Sequence, residues 1–152
     1  MNPFRILLFC SLCMVCITNA QELTSIEIHN QDDFLSFAKK MSEKQTGFNV
    51  ALFTDLNLLN VLSFPVGVQD DGNCTPFYGE FHGNNHTIEG LVMDNLNNEV
   101  YQGAGLFCQI GNAIVEHLVI GETCNLTGSH VGSLSGGAFG NLTVHGFINK
   151  AS

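Results

Sequence analysis

The sequence predicts an all-β protein, a right-handed parallel β-helix of three to four coils with one α-helix capping its N-terminal end. A pattern of three apolar residues, separated by two residues and then by one, occurs three times among many glycines. One amphipathic helical segment precedes all three occurrences. Short apolar bursts that return at intervals of roughly 20–50 residues are typical of solenoids, in which coils stack on one another.

The three occurrences of the apolar pattern predict three columns of core residues. The pairs between the first and second apolar positions are Glu89-Gly90, Glu116-His117 and Gly140-Asn141. Because Gly and Asn tolerate positive φ, a bend there lets the apolar residues on both sides face inward. The first column comprises Ile88, Val115 and Phe139, the second Leu91, Leu118 and Leu142, and the third Met93, Ile120 and Val144.

Residues 1–20 are predicted to be a signal peptide. Arg5 precedes an apolar run over residues 6–17, and small residues lead to a cleavage site before Gln21. The run is shorter than the roughly 20 residues that a membrane-spanning helix needs. We therefore expect a secreted, extracellular or cell-surface protein that is not an integral membrane protein.

Residues 21–48 are predicted to form a strand and the capping helix, and residues 49–152 the coils. Asn30 is a suitable N-cap for this helix, and Gly47 is expected to close it. The apolar positions at helical spacing are Phe34, Phe37, Ala38 and Met41. Such a face is suited to covering the open end of a solenoid core.

The charge of the chain argues against nucleic acid as a partner. Arg5 is the only arginine, so its removal with the signal takes the formal net charge from −9 to −10. Only four lysines then remain against fourteen acidic residues. Nucleic acids and anionic membrane surfaces are bound largely through basic side chains, so we expect neither as a partner.

Four Asn-x-Thr sequons indicate N-glycosylation of an exported protein. The candidate asparagines are Asn73, Asn85, Asn125 and Asn141. The first sequon is the weakest, because Pro76 follows it directly.

Three cysteines remain once the signal is removed: Cys74, Cys108 and Cys124. At most one intramolecular disulfide can form among them, and the sequence leaves its pairing open. Their spacing matches no metal-binding framework, and no cofactor is expected.

Candidate catalytic or metal sites are incomplete. Glu89 and Glu116 could stack about 5 Å apart at one bend, as in a glycosidase, but a solvated edge explains them better, because Gly140 ends the column. His82 and His86 flank a turn without a third metal ligand. The adjacent carboxylates at 70–71 fall short of the six to eight oxygens that Ca²⁺ takes.

The segment Phe77–Leu91 resembles the first turn of pectin-lyase-like β-helices, which often reads F-x-G-x-F-D-G-x-G-H-T-I-x-G-L. Two later segments, 105–108 and 133–136, resemble the GLUG repeats of secreted and surface β-helices. His82 replaces the usual aspartate, and Asn85 replaces a glycine. The resemblance covers about residues 26–149 and implies the fold, whereas its members include lyases, hydrolases, adhesins and stalks.

Three functions stay open. The sequence favours a non-catalytic, adhesin-like protein that binds an extracellular glycan or surface protein, because no catalytic set is complete. The second is a structural or degenerate coil segment. The third is a carbohydrate-active enzyme, either a polysaccharide lyase or a glycoside hydrolase. No amphipathic cap follows Phe147, so the last coil is also expected to self-associate end to end or to belong to a longer gene.

Replacing Leu118 by aspartate should unfold the protein, because an unpaired charge would be buried in the middle column. Loss of secretion and of β-type circular dichroism is the expected result. A variant that is secreted normally with an unchanged spectrum would contradict this register.

Overall fold

The protein is a β-solenoid of about three turns with a single short helix among the residues described, as the sequence predicts. The computed structural model describes residues 22–94 and 103–152. Within these two ranges, four parallel sheets run along the solenoid. Sheet 1 contains β1 (Thr24–Ile28), β2 (Phe48–Leu52), β4 (Phe77–His82), β8 (Ile110–Glu116) and β12 (Leu142–His145), in this order. Sheet 2 contains β3 (Leu56–Asn57), β5 (Thr87–Glu89), β9 (Val119–Ile120) and β13 (Ile148–Asn149). Two smaller sheets pair β6 (Val92–Asp94) with β10 (Asn125–Thr127), and β7 (Gly103–Ala104) with β11 (His130–Val131).

The helix α1 (Gln31–Ser42) begins at the predicted N-cap. The Asn30 side chain accepts a hydrogen bond from the Asp33 backbone N–H at 3.0 Å, and Asp33 in turn accepts one from the His29 N–H at 2.9 Å. These bonds satisfy donors that a helix start would otherwise leave without partners. Within the described ranges, no helix is long and apolar enough to cross a bilayer.

The prediction that Gly47 closes the helix is wrong. The helix ends at Ser42, and the chain already turns at Lys44, which has a φ of 68°. Gly47 has a φ of 80° and precedes β2, and its carbonyl accepts a hydrogen bond from the Thr24 N–H at 2.8 Å. Gly47 therefore directs the chain into sheet 1 and does not end the helix.

Six buried phenylalanines of the described part of the chain form the centre of the core, and Phe37 of α1 lies among them. Its ring centroid lies 5.6 to 6.5 Å from those of five others: Phe34, Phe48, Phe77, Phe81 and Phe107. Most of these pairs meet edge to face, an arrangement that aromatic rings favour. Helix α1 thus covers the N-terminal end of the coils through Phe37, which contacts side chains of both β2 and β4.

The coils are longer than the spacing of the apolar pattern suggests. Phe48 pairs with Gly79, Gly79 with Ala113, and Ala113 with Leu142, so these four positions mark equivalent points of successive coils. Their separations along the chain differ from one coil to the next, and each exceeds the interval between successive apolar bursts. The interval between bursts is therefore not the coil length.

The three predicted core columns are accordingly wrong in register. Ile88 stacks on Leu56 and Ile120, Val115 on Phe81 and Val144, Met93 on Leu126, and Leu142 on Ala113. Leu91 lies beside Cys124, Leu118 beside Gly83, and Phe139 beside Ile110, so none of these three joins its predicted column. Ile88, Leu91, Met93, Val115, Leu118 and Ile120 are buried, Leu142 is half-buried, and Phe139 and Val144 are 44% and 43% exposed. The pattern marks a corner of the coil, and each burst occupies a different corner.

The predicted bends themselves are confirmed. Gly90, His117 and Gly140 have φ values of 70°, 50° and 72°. His117 lies at the corner between sheets 1 and 2, where its carbonyl accepts a hydrogen bond from Asn85 of the coil before at 2.7 Å. Gly146 occupies the same corner in the coil after, so close to His117 that an added Cβ would lie 2.7 Å from its Nδ1.

Replacing Phe37 by alanine should lower the free energy of unfolding by about 3–5 kcal/mol, because it empties the centre of the aromatic cluster. Urea denaturation followed by circular dichroism measures this change. Phe53→Ala is the control, since Phe53 is 49% exposed, and it should cost about 1 kcal/mol or less. Equal losses for the two variants would show that α1 does not anchor the core.

Candidate functional site on the outer face of sheet 1

The outward-facing side chains of sheet 1 form two rows that cross all five strands. Side chains alternate between the faces of a strand, so equivalent outward positions of paired strands lie side by side. The first row is Ser25, Asn49, Glu80, Ile114 and Thr143. The second row is Glu27, Ala51, His82, Glu116 and His145.

One imidazole connects two carboxylates on this face. His82 Nδ1 lies 2.7 Å from Glu116 Oε1, and His82 Nε2 lies 3.1 Å from Glu80 Oε2. An ionised carboxylate only accepts hydrogen bonds, so both contacts are hydrogen bonds at once when the imidazole is protonated. In that state His82 holds both carboxylates in fixed orientations.

The charge of Glu116 is stabilised by this arrangement. The hydrogen bond from His82 lowers the pKa of Glu116 below its ordinary value of 4.5, and the nearby positive potential of His82, His117 and His145 lowers it further. The His117 and His145 rings lie edge to face, with centroids 5.3 Å apart. Glu116 thus lies near three histidines, one from its own coil and one from each adjacent coil.

Two adjoining clefts lie on the same face, with volumes of about 330 and 410 Å³. Both are lined by Leu23, Gly79 and Asn112. The first is also lined by Glu80, Ala113, Ile114, Asn141 and Thr143, and the second by Thr46, Gly47 and Tyr78. Glu80 therefore belongs both to a cleft and to the group that His82 organises.

Tyr78 presents an aromatic ring at the second cleft. Its ring lies edge to face with Phe139, at a centroid distance of 6.0 Å. The ring covers Gly111, where an added Cβ would lie 2.3 Å from Tyr78 Cε1. The strands shift register between Phe77 and Gly79, and the absence of a side chain at Gly111 leaves space on β8 for the ring.

The predicted stacking of Glu89 and Glu116 at one bend is wrong. Glu116 ends β8 in sheet 1, whereas Glu89 ends β5 in sheet 2. Glu89 accepts hydrogen bonds from the Thr123 hydroxyl and from the Thr123 N–H, the latter at 3.0 Å, and these bonds lower the pKa of Glu89. The two carboxylates lie at different corners because the two bursts that contain them are not equivalent.

His82 and His86 do not face a common metal position, because different carboxylates hold them. His86 Nδ1 lies 3.2 Å from Asp55 Oδ1, an atom that also accepts the Thr87 N–H at 2.8 Å. The bond from Thr87, followed by that from His86, lowers the pKa of Asp55. Over residues 22–94 and 103–152, no three His, Cys, Asp or Glu side chains are grouped so that they could hold a metal ion.

The carboxylate pair at 70–71 belongs to a turn. Asp71 accepts hydrogen bonds from the backbone N–H of Asn73 at 3.0 Å and from its side-chain amide at 2.9 Å. These bonds lower the pKa of Asp71 and shape the loop before Pro76.

All four sequon asparagines, Asn73, Asn85, Asn125 and Asn141, are exposed. Exposure is necessary for glycosylation and does not establish it, so modification stays a prediction. In the first sequon Thr75 is only 4% exposed, and its hydroxyl accepts a hydrogen bond from Gln69 at 3.1 Å. That sequon is therefore the least accessible of the four.

Sequence reasoning missed the group formed by Glu80, His82 and Glu116. The spacing of Glu80 and His82 on one predicted strand was available, since residues i and i+2 share a face. The third member comes from β8, a whole coil further along the chain, and nothing in the local pattern indicates that register. Tyr78 was missed for the same reason.

The fold places this chain in the class of β-solenoid proteins. Comparisons with protein-family models, with curated proteins and with solved structures find no match to it. The resemblance to GLUG and pectin-lyase-like β-helices therefore stays a prediction.

Glu116→Gln should reduce the dependence of stability on acidic pH. The pKa of Glu116 is lower in the folded protein than in the unfolded chain, so its ionised form stabilises the fold above about pH 4.5. This contribution is lost as the pH falls through the folded-state pKa. Between about pH 7 and about pH 3, the free energy of unfolding measured by urea denaturation should fall less for the variant than for the wild type. The exposed Glu122→Gln serves as the control, and a drop in Glu116→Gln as large as in this control would contradict the role of His82.

Proposed function

We propose that the protein is an exported, non-catalytic binding protein that holds a neutral glycan in the clefts of sheet 1. Supporting this, the clefts combine the Tyr78 ring with the amide of Asn112 and the carboxylate of Glu80. Small-molecule sites commonly join apolar or aromatic walls with a few placed polar groups. A sugar ring has both kinds of surface, with C–H groups on its faces and hydroxyls at its edge.

The orientation of Glu80 carries this proposal. A carboxylate that is free to rotate loses conformational entropy when it binds a hydroxyl. In its protonated form His82 reduces this cost by holding Glu80 beforehand. Glu80 and its neighbours also stand on paired strands of a packed sheet, which are more rigid than loops. The face is thus organised before any ligand arrives.

The charge of the chain favours a neutral ligand over an acidic one. The protein carries a formal net charge of −9, and both Glu80 and Glu116 lie on this face. Acidic polysaccharides would be repelled at long range, which slows association and weakens binding.

Export is part of the same proposal. The apolar run at 6–17 and the small residues before Gln21 support a cleaved signal peptide. The exposed sequon asparagines are consistent with passage through a compartment that attaches N-glycans.

The proposal is tested with protein purified from the medium of eukaryotic cells, screened on neutral and acidic oligosaccharides. We expect binding to neutral glycans, and a loss of at least about tenfold in affinity for Tyr78→Ala and for Glu80→Gln, equal to about 1.4 kcal/mol each. Titration calorimetry measures these affinities.

The matched controls are Phe53→Ala and Glu27→Gln, which change an exposed aromatic and an exposed carboxylate outside the clefts. Both should bind as the wild type does. Unaffected binding in the cleft variants would place the ligand elsewhere. Absence of binding to any glycan would overturn the proposal and favour a purely structural role.

A carbohydrate-active enzyme is the second candidate, because Glu80 and Glu116 flank one imidazole at a cleft. The lowered pKa of Glu116 disfavours it as a general acid, which must be protonated near neutral pH. Release of reducing or unsaturated sugars that Glu116→Gln abolishes would establish this alternative over binding alone.

A further inference from the structure

Cys108 is fully buried beneath the loop that precedes β4. Its Sγ lies 3.8 Å from the Thr75 carbonyl oxygen, and its backbone N–H donates to the Val66 carbonyl at 2.9 Å. A Cβ added to Gly67 would lie 3.2 Å from the same sulfur. The thiol is thus enclosed by residues from both ends of this loop.

Cys74 belongs to that loop and is half-buried. An antiparallel bridge joins it to Val68, and the next residue, Thr75, donates its N–H to the Gly67 carbonyl at 2.8 Å. The carbonyl that the Cys108 thiol approaches belongs to Thr75, which directly follows Cys74, so the two cysteines are neighbours across the loop. Interaction with the Cys74 side chain, together with burial, raises the pKa of Cys108.

Cys124 lies at another corner of the coil, just before β10. Its thiol donates to the Ile88 carbonyl at 3.4 Å and accepts the Leu91 N–H at 3.4 Å. Burial raises the pKa of Cys124 as well, so it is the position of this thiol, held at β5 and Leu91, that separates it from the loop over residues 63–76. Of the three pairings that the sequence leaves open, only Cys74 with Cys108 joins two cysteines that lie at the same loop.

We propose that Cys74 and Cys108 form a disulfide that ties the loop over residues 63–76 to the solenoid.

The electron acceptor is a small or protein disulfide, such as glutathione disulfide. The accessible Cys74 thiolate attacks this disulfide, forms a mixed disulfide and releases one thiol. The Cys108 thiolate then attacks the Cys74 sulfur and releases the second thiol, so two electrons and two protons leave the pair. Because this bond closes a loop that spans a whole coil, it restricts the unfolded chain more than a short-range crosslink would.

Peptide mapping of the full chain, after incubation with glutathione disulfide, tests the pairing. Cleavage after glutamate places the three cysteines in separate peptides, 44–80, 100–116 and 123–152. Mapping under non-reducing conditions, with any N-glycan removed, should find the first two peptides crosslinked and Cys124 alkylated. Thermal unfolding should occur about 10 °C higher for the oxidised than for the reduced protein.

The matched variants are Cys74→Ser and Cys124→Ser. Cys74→Ser leaves the buried Cys108 in place and should abolish both the crosslink and the shift in melting temperature on reduction. Cys124→Ser should retain the crosslink. A crosslink to Cys124, or alkylation of both Cys74 and Cys108 after oxidation, would overturn the proposal. This test does not involve glycan binding, so its outcome is independent of the proposed function.

Discussion

The register between β4 and β8 is the constraint on which both the core and the outer face depend. It places Phe81 against Val115 on the inside, and it places His82 beside Glu116 on the outside. A shift by one residue would reverse both assignments, because successive side chains of a strand face opposite ways. Strands β4 and β2 also lie close together at Gly79, since a Cβ there would lie 2.1 Å from the Phe48 carbonyl oxygen.

The two ends of the solenoid differ in how well they are covered. Coils contact only their neighbours, so each coil is stabilised by the one before and the one after. Helix α1 completes the first coil through Phe37, whereas the last coil has four large apolar side chains that are 43–52% exposed: Val131, Phe139, Val144 and Ile148. Local opening should therefore begin in the last coil.

The sequence contains no acidic residue after Glu122, so that end lacks the negative charge of the remainder. End-to-end association of this coil stays a prediction.

The proposed binding face and the proposed disulfide use different parts of each coil. The first lies on sheet 1, where backbone pairing positions Glu80, His82 and Glu116. The second lies at the loop above Cys108, where a parallel bridge between Val66 and Phe107 joins this loop to the next coil. A crosslink at that loop would hold the start of β4 in place, and β4 carries Tyr78 and Glu80. Strand β4 therefore connects the stability of this loop to the orientation of the cleft residues.

The sequence by itself determined the fold class, through the recurrence of its apolar bursts. It also determined these local features: the Asn30 cap, the apolar face of α1 and the bends at Gly90, His117 and Gly140. Each follows from the preferences of residues within a few positions of one another. Only the tertiary structure decided which corners stack, which carboxylates meet His82 and which cysteine lies against Cys108. Those contacts join residues of successive coils, and the coils differ in length, so they follow no fixed repeat. Since the same apolar, bend, apolar pattern suits any corner of a coil, local pattern alone cannot assign the register.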